Sequence, residues 1–275
     1  MESPYQAAPD VHVLPNNLPL PGTGLVLPIN AYVLMAEEPV LVDTGIGMDS
    51  DQFLDAASSI VDLNALRWVW LTHDDADHTG SIQRVLEAAP HARLVTHAFN
   101  AFRMATWWSV PFDRVYAIRP GDRIPVGDRT LRAVRPPLFD NPMSIGALDE
   151  ATGTLFSVDS FGALLPEATQ DASLVPQEAL AGGMLAWSMA DSPWAHIADR
   201  RLFGEVLQGV RQLQPTRILS SHLPAASGTS LERFLQVLES VPDAEPALPP
   251  NQEEFMHMLA AMVAPTPGPE LVTAG

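Results

Sequence analysis

The sequence predicts an α/β sandwich, two mixed sheets packed together with helices on the outer faces. Two observations carry that expectation. Short apolar or alternating runs give way to amphipathic helical segments, and the succession occurs twice along the 275 residues. Residues able to bind a metal also fall where strand-like runs end, so a sandwich would gather them along one edge.

The elements follow in order. Strand patterns occur at 11–14, 24–27, 31–35 and 39–42, separated by Pro, Gly, Asn and a Glu-Glu pair. Residues 49–64 have helical spacing, with Phe53, Ala56, Ile60 and Leu63 on one stripe. A buried strand at 67–72, a helix at 80–89, a strand at 92–96 and a helix at 97–108 come next. Strands return at 115–118, 129–135 and 154–158. Residues 163–195 read as irregular, with Pro and Gly interrupting short helices. The segment 198–214 is the clearest amphipathic helix, 217–220 the last strand and 231–240 the closing helix. Pro242, Pro246, Pro249 and Pro250 mark 241–251 as a linker. A helix at 252–263 then carries Phe255, Met258, Leu259 and Met262 on one face, ahead of a Pro/Gly tail expected to be disordered. These features divide the chain into a main domain over 1–243 and an appendage of linker, short helix and tail over 244–275.

Composition narrows the function. A hydrophobic share of 47% allows a sizeable core, and no apolar run is long enough for a transmembrane helix. The first residues lack the basic start and apolar stretch of a secretory signal, which leads us to expect a cytoplasmic protein. There is no cysteine, hence no disulfide and no thiolate ligand. The net charge is −18 and all fifteen basic residues are arginines, a balance that repels phosphate backbones and anionic membranes. Nucleic-acid and membrane partners are therefore not expected.

The most informative stretch is Trp70-Leu-Thr-His73-Asp-Asp75-Ala-Asp77-His78-Thr-Gly80. His73, Asp75, Asp77 and His78 place four potential ligands within six residues, directly after an apolar strand. Two imidazoles with carboxylates between them form a mixed N/O set suited to zinc, iron or manganese. A solvated acidic turn is the bland alternative, and suitable partners downstream weigh against it. Asp159 and His222 each follow an apolar strand, and Asp140 supplies a carboxylate in a loop. Asp43 ends another strand before Thr44-Gly45. It is expected either to bind loop amides behind the ligands or only to cap its turn.

The order and spacing of these pieces resemble the metallo-β-lactamase superfamily over about residues 11–240. Hydrolases of that superfamily usually carry a histidine where this chain has Asp75. A carboxylate there is similar to the di-iron branch, the flavodiiron and single-domain oxygen-binding di-iron proteins, as is Leu155-Phe-Ser-Val-Asp159-Ser-Phe-Gly162. The resemblance implies a metallo-β-lactamase-like αββα sandwich and a two-ion centre. One ion would be held by His73, Asp75, a loop ligand and Asp159, the other by Asp77, His78, His222 and the shared Asp159. The branch normally has His-Trp-Pro where this chain has Asp140-Asn141-Pro142. Eighteen residues separate Asp140 from Asp159, the branch's usual gap, which favours Asp140 as the replacement. Asn141, or no ligand at all, are the alternatives. The branch's flavodoxin-like domain has no counterpart here, so no flavin is assigned to this chain.

Charge helps to choose the metal. Asp75, Asp77, Asp140 and Asp159 balance two divalent ions, which weakens Lewis acidity and so hydroxide generation. Anionic oxygen ligands instead favour iron, with zinc and manganese as alternatives. The leading expectation is thus a non-haem di-iron protein that binds or reduces dioxygen or nitric oxide, with an external reductase if it turns over. A zinc hydrolase of a lactone, thioester or related ester is the second reading, and a metal-containing sensor without turnover the third. His12, His91, His97, His196 and His257 lack paired spacing and are not expected to be ligands. Trp107 and Trp108 either roof the pocket or pack at its rim or in the core. Trp187 and Trp194, with Met184 and Met189, form either a wall near the site or core. The 252–263 helix either docks a second copy, giving a homodimer, or packs on its own domain.

Overall fold

Strand direction places the chemistry in this molecule. The computed structural model describes residues 1–245 and 247–263. Its first sheet runs in chain order through β1 (Tyr5–Ala8), β2 (Val11–Leu20), β3 (Leu25–Leu34), β4 (Val40–Val42), β5 (Trp68–Trp70), β6 (Arg93–Thr96) and β7 (Val115–Ala117). Pairing is antiparallel from β1 to β4 and parallel from β4 to β7. Parallel neighbours need crossovers. Here these contain α1 (Ser50–Ser58), the short α2 (Ala76–Thr79) with α3 (Ile82–Ala88), and α4 (Ala98–Met104).

The second sheet comprises β8 (Arg123–Pro125), β9 (Thr130–Val134), β10 (Gly146–Asp149), β11 (Thr154–Phe156), β12 (Arg217–Leu219) and β13 (Ala226–Ser227). They lie in the order β13-β12-β11-β10-β9-β8, and β11 with β12 is the parallel pair. The helices α5 (Gln177–Asp191), α6 (Arg200–Leu213) and α7 (Leu231–Ser240) follow.

Three apolar layers hold the sandwich together. Between the sheets, Tyr32, Val42, Trp70 and Val95 meet Ala133, Ala147, Phe156 and Leu219. Phe53, Val85 and Met104 cover Val33, Leu41, Val69 and Leu94 on the outside of the first sheet. Met184, Leu207, Phe234 and Leu238 pack with Ile218 outside the second. The result is the αββα arrangement the sequence predicts. Asp43 and His73 follow the parallel strands β4 and β5, while Asp159 and His222 follow β11 and β12, so the carboxyl ends of both pairs open onto one edge.

Several elements differ from the sequence expectation. The two strands expected at 24–27 and 31–35 form one ten-residue strand, β3, running through Pro28. The Pro28-Ile-Asn30 interruption forms bonds to the other half of the molecule. Asn30 N–H donates to Ser221 O at 2.8 Å, and the Asn30 side chain donates to Leu223 O at 2.9 Å. β1, β8, β10 and β13 were not expected. They have two to four residues each, too short for periodicity to register.

The largest difference lies within 163–195, where α5 is a 15-residue helix. Its Gly182-Gly183 pair reads as a breaker, but Gly183 permits a close approach. A Cβ there would lie 2.0 Å from Leu164 O, so only glycine lets α5 pack directly on that backbone. The helix expected at 49–64 stops at Ser58, and a separate 3-10 turn at Leu63–Ala65 is capped by the Asp62 side chain.

Helix α8 (Gln252–Val263) leaves Phe255, Met256 and Leu259 exposed. The expected tail beyond 263 lies outside the described residues, as does Pro246 of the linker. No helix among the described residues is long and apolar enough to cross a membrane.

Candidate metal centre

The loop after β5 turns directly into α2, so one turn of backbone presents its side chains to a single point. Gly80 makes this possible. A Cβ on it would lie 2.2 Å from Gly47 N, and the contact replaces side chain with backbone bonding: Gly80 N–H donates to Gly45 O at 2.8 Å. Thr44 N–H likewise donates to His78 O at 2.8 Å. The loops after β4 and β5 thus brace each other.

The structure brings all seven expected ligand residues together in two groups. In the first, His73 Nε2 lies 3.7 Å from Asp75 Oδ2, 4.0 Å from Asp140 Oδ1 and 3.5 Å from Asp159 Oδ2. In the second, Asp77 Oδ2 lies 3.3 Å from His78 Nε2 and 3.4 Å from His222 Nε2. Those two nitrogens are also 3.2 and 3.1 Å from Asp159 Oδ1. Asp159 therefore faces one group with each oxygen.

Each imidazole is oriented through its other nitrogen. His222 Nδ1 lies 2.7 Å from Pro28 O, and the tautomer protonated on Nδ1 satisfies that contact. His78 Nδ1 lies 2.9 Å from Asp43 Oδ2, and His73 Nδ1 lies 3.2 Å from Thr72 Oγ1. All three rings consequently turn Nε2 inward. Asp43 also accepts from Thr72 N–H at 2.8 Å, so it stands behind His78 and binds the adjoining loop.

The loop carrying Asp140 is fastened on two sides. Ser160 Oγ donates to Leu138 O at 2.8 Å, and Trp194 Nε1 donates to Phe139 O at 2.6 Å. Asn141 does not direct an acceptor at the centre. Its amide donates to Asp74 Oδ1 at 2.8 Å and Asp75 Oδ1 at 3.0 Å, while its oxygen accepts from Met143 N–H at 3.0 Å. An amide so committed orients Asp75 and has no lone pair left facing the ligands. Asp140 instead joins His73 and Asp75 in a group of potential ligands.

The sequence reading passed over Asp191, at the end of α5. Its carboxylate lies within ligand distance of those of Asp140 and Asp159. No neighbouring histidine or motif spacing signals it, and it falls in the stretch read as irregular. Trp187 packs beside His222 with ring centroids 4.5 Å apart and planes tilted by 49°, and donates to Asp159 O at 3.1 Å. It is therefore a wall of the site, as one of the two sequence readings had it. Trp108 packs instead on the outer core of the first sheet, and Trp107 is half-exposed.

The electrostatics show how crowded the charges are. Burial pushes the Asp140 carboxyl up to about 8, helped by Asp159 and Asp191, and pushes Asp191 up to about 7, helped by Asp159. Burial also disfavours charge on Asp159, but His73 and His78 outweigh it and hold the group well below the usual carboxylate range. Burial and the neighbouring His78 lower His73. In His78, burial is outweighed by Asp77, Asp43 and Asp159, so its pKa rises. Both oxygens of Asp159 are buried without a hydrogen bond of acceptable geometry. A buried carboxylate with two orphaned acceptors, facing the Nε2 atoms of three imidazoles, suits a cation shared between two donor sets.

Known proteins resemble this chain in sequence and in fold. Residues 27–222 match the family described as ODP family beta lactamase. A putative diflavin flavoprotein A 1 of Thermosynechococcus vestitus is 30% identical over 135 residues, which are 49% of this chain and 24% of that protein. The flavo-diiron protein FprA2 of Clostridium acetobutylicum is 25% identical over 134 residues, 48% of this chain and 34% of that protein. The chain thus spans about a quarter to a third of the length of these curated relatives. Among solved structures, the rubredoxin oxygen:oxidoreductase of Desulfovibrio gigas has a TM-score of 0.74 at 18% identity, covering 89% of this chain and 63% of that one. That likeness establishes the fold.

Proposed function

The chain belongs to the ODP family of β-lactamase-like proteins, and from that premise we propose that it is a non-haem di-iron protein that binds or reduces dioxygen or nitric oxide. The carrying observation is Asp159, buried, without hydrogen-bond donors, and facing a different donor group with each oxygen. In this reading His73, Asp75, Asp140 and Asp159 hold one ion, and Asp77, His78, His222 and Asp159 hold the other. A ferrous pair bound there would supply electrons to the diatomic, and an external reductase would restore them in a protein that turns over.

The chain's own residues do the rest. Asp43, Thr72 and the Pro28 carbonyl fix the three rings with Nε2 inward, which removes the entropy of orienting them on binding. Asn141 holds the Asp75 carboxylate in place. Trp187 shields His222 and the Asp159 backbone from bulk water. Four carboxylates against three neutral imidazoles balance two divalent ions, which lowers the Lewis acidity that hydrolysis needs.

The test is elemental analysis of protein from a metal-balanced host, with visible spectra of the oxidised, reduced and re-oxygenated forms. We expect two irons per chain and ferric absorption that bleaches on reduction and returns with oxygen. Two zinc ions per chain, no such absorption and steady ester or lactone hydrolysis lost in Asp77→Ala would overturn the reading.

A further inference from the structure

Seven ligands leave one acid at the centre unexplained. Asp191 ends α5, and its carboxylate forms a group with those of Asp140 and Asp159 whose donor atoms lie within 4.8 Å of one another. The three come from separate parts of the fold: the loop before β10, the exit of β11, and the last residue of a helix. Ser192 Oγ donates to Asp191 Oδ2 at 2.9 Å, which holds the side chain in place. Arg103 pairs with Asp74 at 2.9 Å rather than with any of the three. Asp159, only 2% exposed, offers one of its two orphaned oxygens to this group. Like charges this close need a cation between them, or protons in its place.

We propose that Asp191 is a metal ligand of the first position, beside His73, Asp75, Asp140 and Asp159. The assignment rests on the paired-metal reading above. It makes the two positions chemically unequal. The first would have one imidazole and four carboxylates, a hard anionic set that favours manganese or iron over zinc. The second keeps two imidazoles and two carboxylates. With Asp191 ionised the centre has five negative charges, which one divalent and one trivalent ion balance.

The experiment titrates metal-free full-length protein with manganese(II) and, separately, with zinc(II), by calorimetry and by elemental analysis after dialysis. Wild type is expected to take up two manganese ions. Asp191→Asn is expected to weaken one of them by about 10- to 100-fold and to leave the other unchanged. Melting curves separate a ligand from a structural residue. Removing one of three crowded carboxylates should raise the melting temperature of the metal-free form while shrinking the rise that manganese produces. A merely structural Asp191 would lower both forms alike.

Asp191→His supplies a second test, since it keeps a donor atom but softens it. It should move the preference between manganese and zinc towards zinc by about tenfold or more. Uptake of two manganese ions by Asp191→Asn with wild-type affinity overturns the assignment and leaves the paired site standing. An unchanged manganese-to-zinc preference in Asp191→His does the same. A wild-type protein that binds fewer than two ions overturns both.

Discussion

At the scale of single residues, backbone strain and side-chain bonding are concentrated around the centre. Asp43 has φ +60° and Val158, a β-branched residue next to Asp159, has φ +59°, both in the left-handed region. Each costs on the order of 1–3 kcal/mol unless its surroundings hold it there. Val158 is held by its carbonyl, which accepts from Ser221 N–H and from Ser220 Oγ at 2.9 Å each. Asp43 is held by its carboxylate, which accepts from Thr72 and lies 2.9 Å from His78 Nδ1. This carboxylate sets the tautomer and raises the basicity of His78. Asp43→Asn keeps the shape but removes the charge, and should weaken metal binding by about 10- to 100-fold. Competition with a calibrated chelator checks this, and unchanged affinity would return Asp43 to a plain turn-capping role.

At the scale of elements, two helix ends make contrasting predictions. Helix α6 is capped at its start by Asp199, which accepts from Leu202 N–H at 2.9 Å, and ends on exposed Gln214 at φ +46°. Glycine adopts that conformation without the Cβ clash, so Gln214→Gly should stabilise the protein by about 0.5–1 kcal/mol. A urea titration would show the midpoint rise with an unchanged slope. Gly80, between α2 and α3, is the opposite case. A Cβ there would lie 2.2 Å from Gly47 N and 2.3 Å from Ile46 C, both backbone atoms that cannot swing aside. Gly80→Ala should therefore destabilise by about 1–3 kcal/mol and displace the ligand loop with it. A melting curve together with a metal count would register both effects, and wild-type values for both would disprove the brace.

At the scale of the whole molecule, the centre ties the two sheets together, because its ligands follow β5 in one and β11 and β12 in the other. Metal binding and global stability should then be linked. With free ion at about a thousand times the dissociation constant, linkage contributes about 4 kcal/mol. For a chain of this size that shifts the melting temperature by on the order of 10 °C. Calorimetry before and after chelation measures it, and an unchanged melting temperature would mean that the centre does not bind metal in the folded state.

The sandwich class and the ligand-dense loop are legible in the order of residues along the chain. That order also shows acids and histidines at strand exits, because apolar periodicity and residue chemistry are local properties. Which strands run parallel is not local, and that decided that Asp43, His73, Asp159 and His222 share an edge. Tertiary structure alone also assigned Asn141 to orienting Asp75, gave the Pro28 carbonyl to His222 and revealed Gly183 as a point of contact. It alone brought Asp191 beside Asp140. Each of these depends on atoms distant in sequence coming within a few ångströms, and a pattern of nearest neighbours along the chain cannot encode that distance.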